Sequence, residues 1–323
     1  MNIAYFGSPI FSAQLLDSLF KQSEDHIKLI VTQPDKPAGK RLSLTPTAVK
    51  TYAKTLSIKM IDHSIDTITE KQILVYFQKY SIDLCITFAY GSKIPMKLIR
   101  AVQYGFWNIH PSLLPKYRGA APIIFPIALG DKKTGLTLIQ MNGYMDEGDI
   151  IDQLTIPIGN NTTRIDIEKF TIPSATQMIV CAMKKLETKK NISFYAQNHI
   201  KATYTRRITK NDGYIPFDLF IKSQKRNVNI LLNQAPQLIS SYYKENKLTY
   251  PKLFPAGKTV WNLYKALYGW PGIWTIIKTV NGLKRLKINT ASFDGSALCI
   301  KSVQIEGKKE ITFDIFNRAY NIL

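Results

Sequence analysis

The stretch "NIAYFGSPIFSAQLLDSLF", residues 2–20, decides the fold class. Residues 2–7 form an apolar run that stops at Gly7-Ser8-Pro9, and residues 10–20 repeat apolar side chains at helical i, i+3, i+4 spacing. A short apolar run, a turn and an amphipathic helix make the first half of a βαβ unit. The same grammar continues downstream. "IKLIVTQ" (27–33) and "IDLCITFAY" (82–90) are apolar runs ended by turn residues, and "ITEKQILVYFQKY" (68–80) has helical spacing. "GFWNIH" (105–110) and "GLTLIQM" (135–141) extend the series, with "IIDQLTIPI" (150–158) as a hairpin-side strand. Runs that are apolar throughout belong to strands covered on both faces of a parallel sheet. The expectation is an α/β fold: a doubly wound, mostly parallel, Rossmann-like sheet. Gly7-Ser8-Pro9 lacks the GxGxxG pattern, so a dinucleotide site is poorly supported.

At 323 residues the chain exceeds what one core usually holds, and two domains are expected. A long helical stretch, 163–186, closes the first, with Pro173 kinking or splitting it. The polar segment 187–210 reads as linker. Beyond it, 260–277 looks helical and broken at Pro271-Gly272, while 284–291 and 296–305 alternate as strands with turns at Asn281-Gly282 and Asp294-Gly295. That pattern favours a smaller β-barrel-like, OB-like domain. Residues 219–259 show no clean periodicity. The expected division is a catalytic domain over 1–190, a linker over 191–210 and a β-rich domain over 211–323.

Composition narrows the class. The first residues carry neither a basic n-region nor a cleavage site, and no apolar segment approaches membrane-spanning length, so a soluble cytoplasmic protein is expected, with no membrane partner. Cys85, Cys181 and Cys299 have no zinc or redox spacing and read as small buried hydrophobes in a reducing compartment. Four scattered histidines argue against a metal. The net charge is +20, of which +13 falls in residues 201–323. Such an excess suits either a solvated lysine-rich surface or a polyanionic partner.

Two side chains stand out in "WNIHPSLLPKYRGAAPI", residues 107–123. Residues i and i+2 of a strand face the same way, so Asn108 and His110 project together at the sheet's C-terminal edge. Ligands of open α/β sheets bind beyond those ends. Ala89-Tyr90-Gly91 and the segment after Met141 are expected at the same edge, sharing one cleft. An imidazole that takes a proton beside an amide that steadies an oxyanion suits acyl transfer. Ser112 has no GxSxG setting, so direct transfer to an external nucleophile is favoured over an acyl-enzyme. Pro111 and Pro115 are expected to hold the following backbone as an extended wall, with a helix beginning near Ala121. Asp146 lies in "MNGYMDEGDI" (141–150), where three acids crowd without EF-hand spacing. A carboxylate near an imidazole favours its protonated form and can orient an attacking amine.

"NIHPSLLPKYRGAAPI" together with "GLTLIQMNGYMDEGDI" resembles the formyltransferases that use 10-formyltetrahydrofolate. The resemblance implies Asn108, His110 and Asp146 as the catalytic set and no metal. It implies a folate cleft formed by Ala89, Tyr90, Gly91, Ile94, Ser112, Leu113, Leu114, Pro115, Gln140, Met141 and Gly143. "VTQPDKPAGKRLSLTPTAVK" (31–50) and "RGAAPI" (118–123) resemble the branch of that family acting on charged initiator tRNA. "ATYTRRITKNDGYIPFD" and "YKALYGWPGIWT" look like that branch's linker and the start of its second domain. This implies formylation of the methionyl α-amine by a monomer, with Lys36, Lys40, Arg41, Arg206 and Arg207 meeting the tRNA. An amino-sugar nucleotide or glycinamide ribonucleotide is the alternative acceptor, and a tRNA-binding protein with a decayed site is a third reading. Residues 219–259 depart from the family as extra sequence, and the tail after Trp274 looks shorter than usual.

Overall fold

A computed structural model describes residues 1–22, 26–38, 43–189, 192–280 and 282–320. Its internal contacts form two compact units. The first comprises 1–118, 135–155 and 168–202, and the second 119–134, 156–167 and 203–323.

A seven-stranded sheet is built mostly from residues of the first unit. Its strands are β1 (Ile3–Gly7), β2 (Ile27–Val31), β3 (Lys59–Ile61), β4 (Leu84–Phe88), β5 (Phe106–His110), β6 (Lys133–Gln140) and β7 (Ile150–Pro157). The spatial order is β7-β6-β5-β4-β1-β2-β3. Strands β3, β2, β1, β4 and β5 are parallel neighbours, and β6 runs antiparallel to β5. Strand order therefore reverses between β1 and β4, where a doubly wound sheet opens a crevice. All five residues of β1 and of β4 are buried, as expected for strands covered on both faces.

Helices α1 (Ile10–Gln22), α2 (Ala48–Ala53), α3 (Thr67–Lys79) and α4 (Met96–Ile99) supply the covering layers. Ile73 and Phe77 of α3 and Leu98 and Ile99 of α4 join Phe6, Val31, Cys85 and Phe106 in one core cluster. Asp66 starts α3 by accepting from the Thr69 N–H at 2.8 Å. Gly7 is required by close approach, since a Cβ there would lie 1.9 Å from Ser12 Oγ. A short hairpin, Lys36–Ala38 with Ser43–Thr45, follows β2.

Several sequence expectations need correction. The helix expected near Ala121 begins at Ile124, as α5 (Ile124–Leu129). Pro173 does not split the long helix: α6 runs from Arg164 to Lys189 with the proline inside it. Segment 219–259 is well structured. It lies in the second unit, largely in α7 (Phe217–Ser223) and α8 (Gln237–Glu245), and buries Leu219, Phe220, Ile230, Leu238 and Tyr242. The apolar run 260–277 is only half helix. Helix α9 (Ala256–Ala266) stops before the turn in which Gly269 and Gly272 take positive φ, and the chain continues as strand β8 (Ile273–Thr279). Strands β8, β9 (Gly282–Phe293), β10 (Leu298–Ile305) and β11 (Glu310–Thr312) form an antiparallel sheet in that order. The α/β class and the separate β-rich C-terminal sheet agree with the sequence reading. Asn281 lies outside the described residues. Of the three cysteines only Cys85 is buried; Cys181 is partly exposed and Cys299 exposed.

Candidate active site

Strand β5 places Asn108 and His110 on one face, alternating with buried Trp107 and Ile109. Asn108 pairs with Thr87 on β4 and with Ile139 on β6. It is partly exposed, and among the described residues nothing hydrogen-bonds its carboxamide. His110 is only 3% exposed. Its Nε2 lies 2.9 Å from the carbonyl oxygen of Tyr117. A carbonyl only accepts, so Nε2 carries the hydrogen and Nδ1 is the nitrogen left to exchange a proton. That Nδ1 lies 3.5 Å from Asp146 Oδ2. The structure thus brings together an amide, an imidazole and a carboxylate from β5 and a distant loop.

The backbone around them is unusual. Ala89, Tyr117 and Asp146 all have positive φ, at 50°, 62° and 55°, although none is glycine. Left-handed non-glycine residues are costly and persist where surrounding contacts hold them. Among the described residues, nothing hydrogen-bonds the buried Thr87 Oγ1, Tyr90 Oη and Gln33 Nε2. Such groups are uncommon in protein interiors. Burial pushes the Tyr90 phenol up to about 12, so it stays neutral across the physiological range.

The loop after Met141 does not leave the sheet at the edge expected. Because β6 is antiparallel, Gln140 stands across from Trp107 at the start of β5, and its Oε1 accepts from Trp107 Nε1 at 3.0 Å. The chain then returns, so that Asp146 reaches His110. Residues 111–117 are not an extended wall either but a run of turns with a cis Leu114–Pro115 bond. Ser112 Oγ donates to the Lys116 carbonyl at 2.7 Å, and the Leu114 N–H donates to Thr137 Oγ1 at 3.2 Å. Leu113 packs where a side chain on Gly135 would otherwise go. Tyr90 and Ile94 are buried in the core cluster, and Met141 packs against it. Gly91 has open space, and a Cβ on Gly143 would approach Met96 Sδ.

The residues expected to meet the tRNA fall in both units. Lys36 lies on the hairpin and donates to Gln33 Oε1 at 3.3 Å. Lys40 and Arg41 lie outside the described residues. Arg206 pairs with Asp212 in two-pronged fashion, Nη1 to Oδ2 at 2.9 Å and Nη2 to Oδ1 at 2.5 Å. Burial alone would raise the Asp212 carboxyl, but Arg206 and the Thr209 N–H outweigh it and hold it below the usual range. Arg207 is exposed.

Sequence reading missed two residues beside the site. Arg118, singled out in the sequence only as part of "RGAAPI", is 0% exposed and meets Glu147 Oε1 at 3.1 Å. Gln197, expected in a linker, is buried and hydrogen-bonds Arg118 and the carbonyls of Asp146 and Gly148. No local signal marks either one, because the contacts join residues 29 to 79 positions apart. Among the described residues no group of three or more His, Cys, Asp or Glu is placed to hold a metal ion.

Comparison with known proteins defines the class. The sequence model of the Formyl transferase family matches residues 1–183, more than half of the chain. The chain is 34% identical over 228 residues to the methionyl-tRNA formyltransferase of Thermotoga maritima, covering 71% of this chain and 72% of that protein. It is 28% identical to the methionyl-tRNA formyltransferase of Caldicellulosiruptor saccharolyticus, covering 100% and 98%. The N-formyltransferase of Helicobacter canadensis, solved with folinic acid and dTDP-3-aminofucose, shares the fold at TM-score 0.56 and 16% identity, covering 93% of this chain and 98% of that one. This chain belongs to the methionyl-tRNA formyltransferase family.

Proposed function

We propose that the protein transfers the formyl group of 10-formyltetrahydrofolate to the α-amine of methionyl initiator tRNA, with Asn108, His110 and Asp146 carrying the chemistry. The observation that carries this reading is the convergence of the Asn108 amide, the His110 ring and, 3.5 Å from Nδ1, the Asp146 carboxylate. The attacking amine nitrogen forms a bond to the formyl carbon, and the bond from that carbon to the folate nitrogen breaks. The proton shed by the amine passes to His110 Nδ1, because Nε2–H is committed to Tyr117. Asp146 faces the ring at Nδ1 while the proton is held there, and the proton is then returned to the departing folate nitrogen. The Asn108 N–H, which has no partner among the described residues, donates to the formyl oxygen as it gains negative charge. No acyl-enzyme is needed, and the Ser112 hydroxyl is engaged with Lys116.

The donor lies against 89–95, 112–115 and 140–146, where Gly91 leaves open space. The tRNA is held by its phosphates, for which residues 201–323 supply an excess of +13, Arg207 included. Its substrates place the enzyme in the cytoplasm, where translation starts. The test is incubation with 10-formyltetrahydrofolate and charged initiator tRNA, followed by isolation of formyl-methionine. Formylation of an amino-sugar nucleotide or glycinamide ribonucleotide in place of the tRNA would overturn the acceptor.

A further inference from the structure

The geometry points to Gln197 and Arg118 as positioning residues that set the Asp146 carboxylate against His110. The inference rests on the reading of Asp146 as part of the reacting set. Asp146 occupies a backbone conformation that L residues rarely adopt, φ 55°, so something must hold it there. The Gln197 carboxamide supplies that grip. Its Nε2 donates to the carbonyl oxygens of Asp146 at 2.8 Å and Gly148 at 2.7 Å. Its Oε1 accepts from Arg118 Nη2 at 2.8 Å and Nε at 3.2 Å.

The division of labour is specific. Two donors from one guanidinium converge on the amide oxygen, which fixes which end of the carboxamide is which and aims the NH2 at the loop. Arg118 also pairs with Glu147 Oε1 at 3.1 Å and lies 3.2 Å from His199 Nδ1 through Nη2. Three successive residues, 146 to 148, are therefore held by Gln197 or Arg118. The loop has no slack to relax in place, because a Cβ on Gly148 would lie 1.8 Å from the Gln140 carbonyl oxygen. Neither Gln197 nor Arg118 reaches the His110 ring, so any effect on turnover passes through Asp146.

A double-mutant cycle tests this on the full chain with 10-formyltetrahydrofolate and charged initiator tRNA. Gln197→Met, close in shape but unable to donate to the carbonyls, should lower kcat about 10- to 100-fold, the cost of an ångström-scale misplacement. KM for either substrate should move less than about 2-fold, since neither residue meets them. In the Asp146→Asn background the same substitution should cost less than about 2-fold, because the group it positions is already disabled. Arg118→Lys, which keeps the charge but not the converging pair of donors, should follow the same pattern and covers the case in which Gln197→Met fails to fold. Wild-type kcat in folded Gln197→Met, or an equal loss in both backgrounds, overturns the positioning role alone. Full turnover by Asp146→Asn overturns the reading of Asp146 and the positioning role with it.

Discussion

At the scale of single residues, the decisive fact is that His110 has one nitrogen committed and one available. The Tyr117 carbonyl holds Nε2–H and leaves Nδ1 on the side of Asp146, so in the proposed reaction the proton passes through Nδ1. His110→Ala should cut kcat about 10²- to 10⁴-fold, the range for a positioned acid–base group. Binding of tRNA in a filter or gel assay should be unchanged. Asn108→Ala should cost about 10²- to 10³-fold in kcat with little effect on KM, as for loss of an oxyanion donor. A variant that loses affinity and keeps kcat would instead make Asn108 a binding residue. Arg206 has a structural partner. Asp212→Ala should destabilise the fold by about 2–3 kcal/mol in denaturant titrations, because it strands a half-buried guanidinium. The depressed carboxyl also sets a sign: this contribution is present above the unfolded Asp value and is lost as pH falls through the lower folded value.

At the scale of elements, helix α9 carries a lysine where a hydrophobe is expected. Lys265 is 2% exposed, with its Nζ 5.9 Å from the Trp261 ring centroid. Burial, and then the charge of Lys258 seven residues earlier, lowers its ammonium from the ordinary 10.5 to about 8. Between those values the unfolded chain holds the proton and the folded chain has released it, so stability should rise with pH across that window. Lys265→Met should abolish the rise and leave the protein at least as stable at pH 7, measured by urea midpoints from pH 7 to 10. The loop between β6 and β7 is limited by backbone crowding. Gly148→Ala should lower kcat at least about 10-fold, because its Cβ must displace the Gln140 carbonyl and with it the Asp146 loop.

For the whole molecule the informative quantity is charge. An excess of +13 in residues 201–323 acts on a polyanion through counterion release, whereas a folate feels little of it. KM for tRNA should therefore climb steeply with salt while KM for the folate stays nearly flat. Arg207→Ala should reduce the log–log salt slope for tRNA by roughly 0.7–0.9, the share of one phosphate contact. An unchanged slope would place Arg207 away from the nucleic acid. No described helix is long and apolar enough to cross a membrane.

The α/β class was legible because buried parallel strands are apolar throughout, as in "NIAYFG" and "IDLCITFAY", and turns separate them from helical spacing. Asn108 and His110 were legible for the same local reason, since a strand's period of two fixes which side chains share a face. Where local pattern was ambiguous the reading failed. The run 260–277 is apolar whether helix or strand, and segment 219–259 is ordered by burial of Leu219, Phe220 and Leu238 rather than by any period. The sequence by itself determined the residue types at the centre of the site and the order of the elements that present them, because both depend on neighbours a few positions away. Only the tertiary structure decided that β6 runs against β5, that His110 turns Nε2 to the Tyr117 carbonyl and Nδ1 to Asp146, and that Gln197 and Arg118 grip the Asp146 loop. Those facts depend on hydrogen bonds between residues far apart in the chain, and nothing in a local stretch encodes their partners.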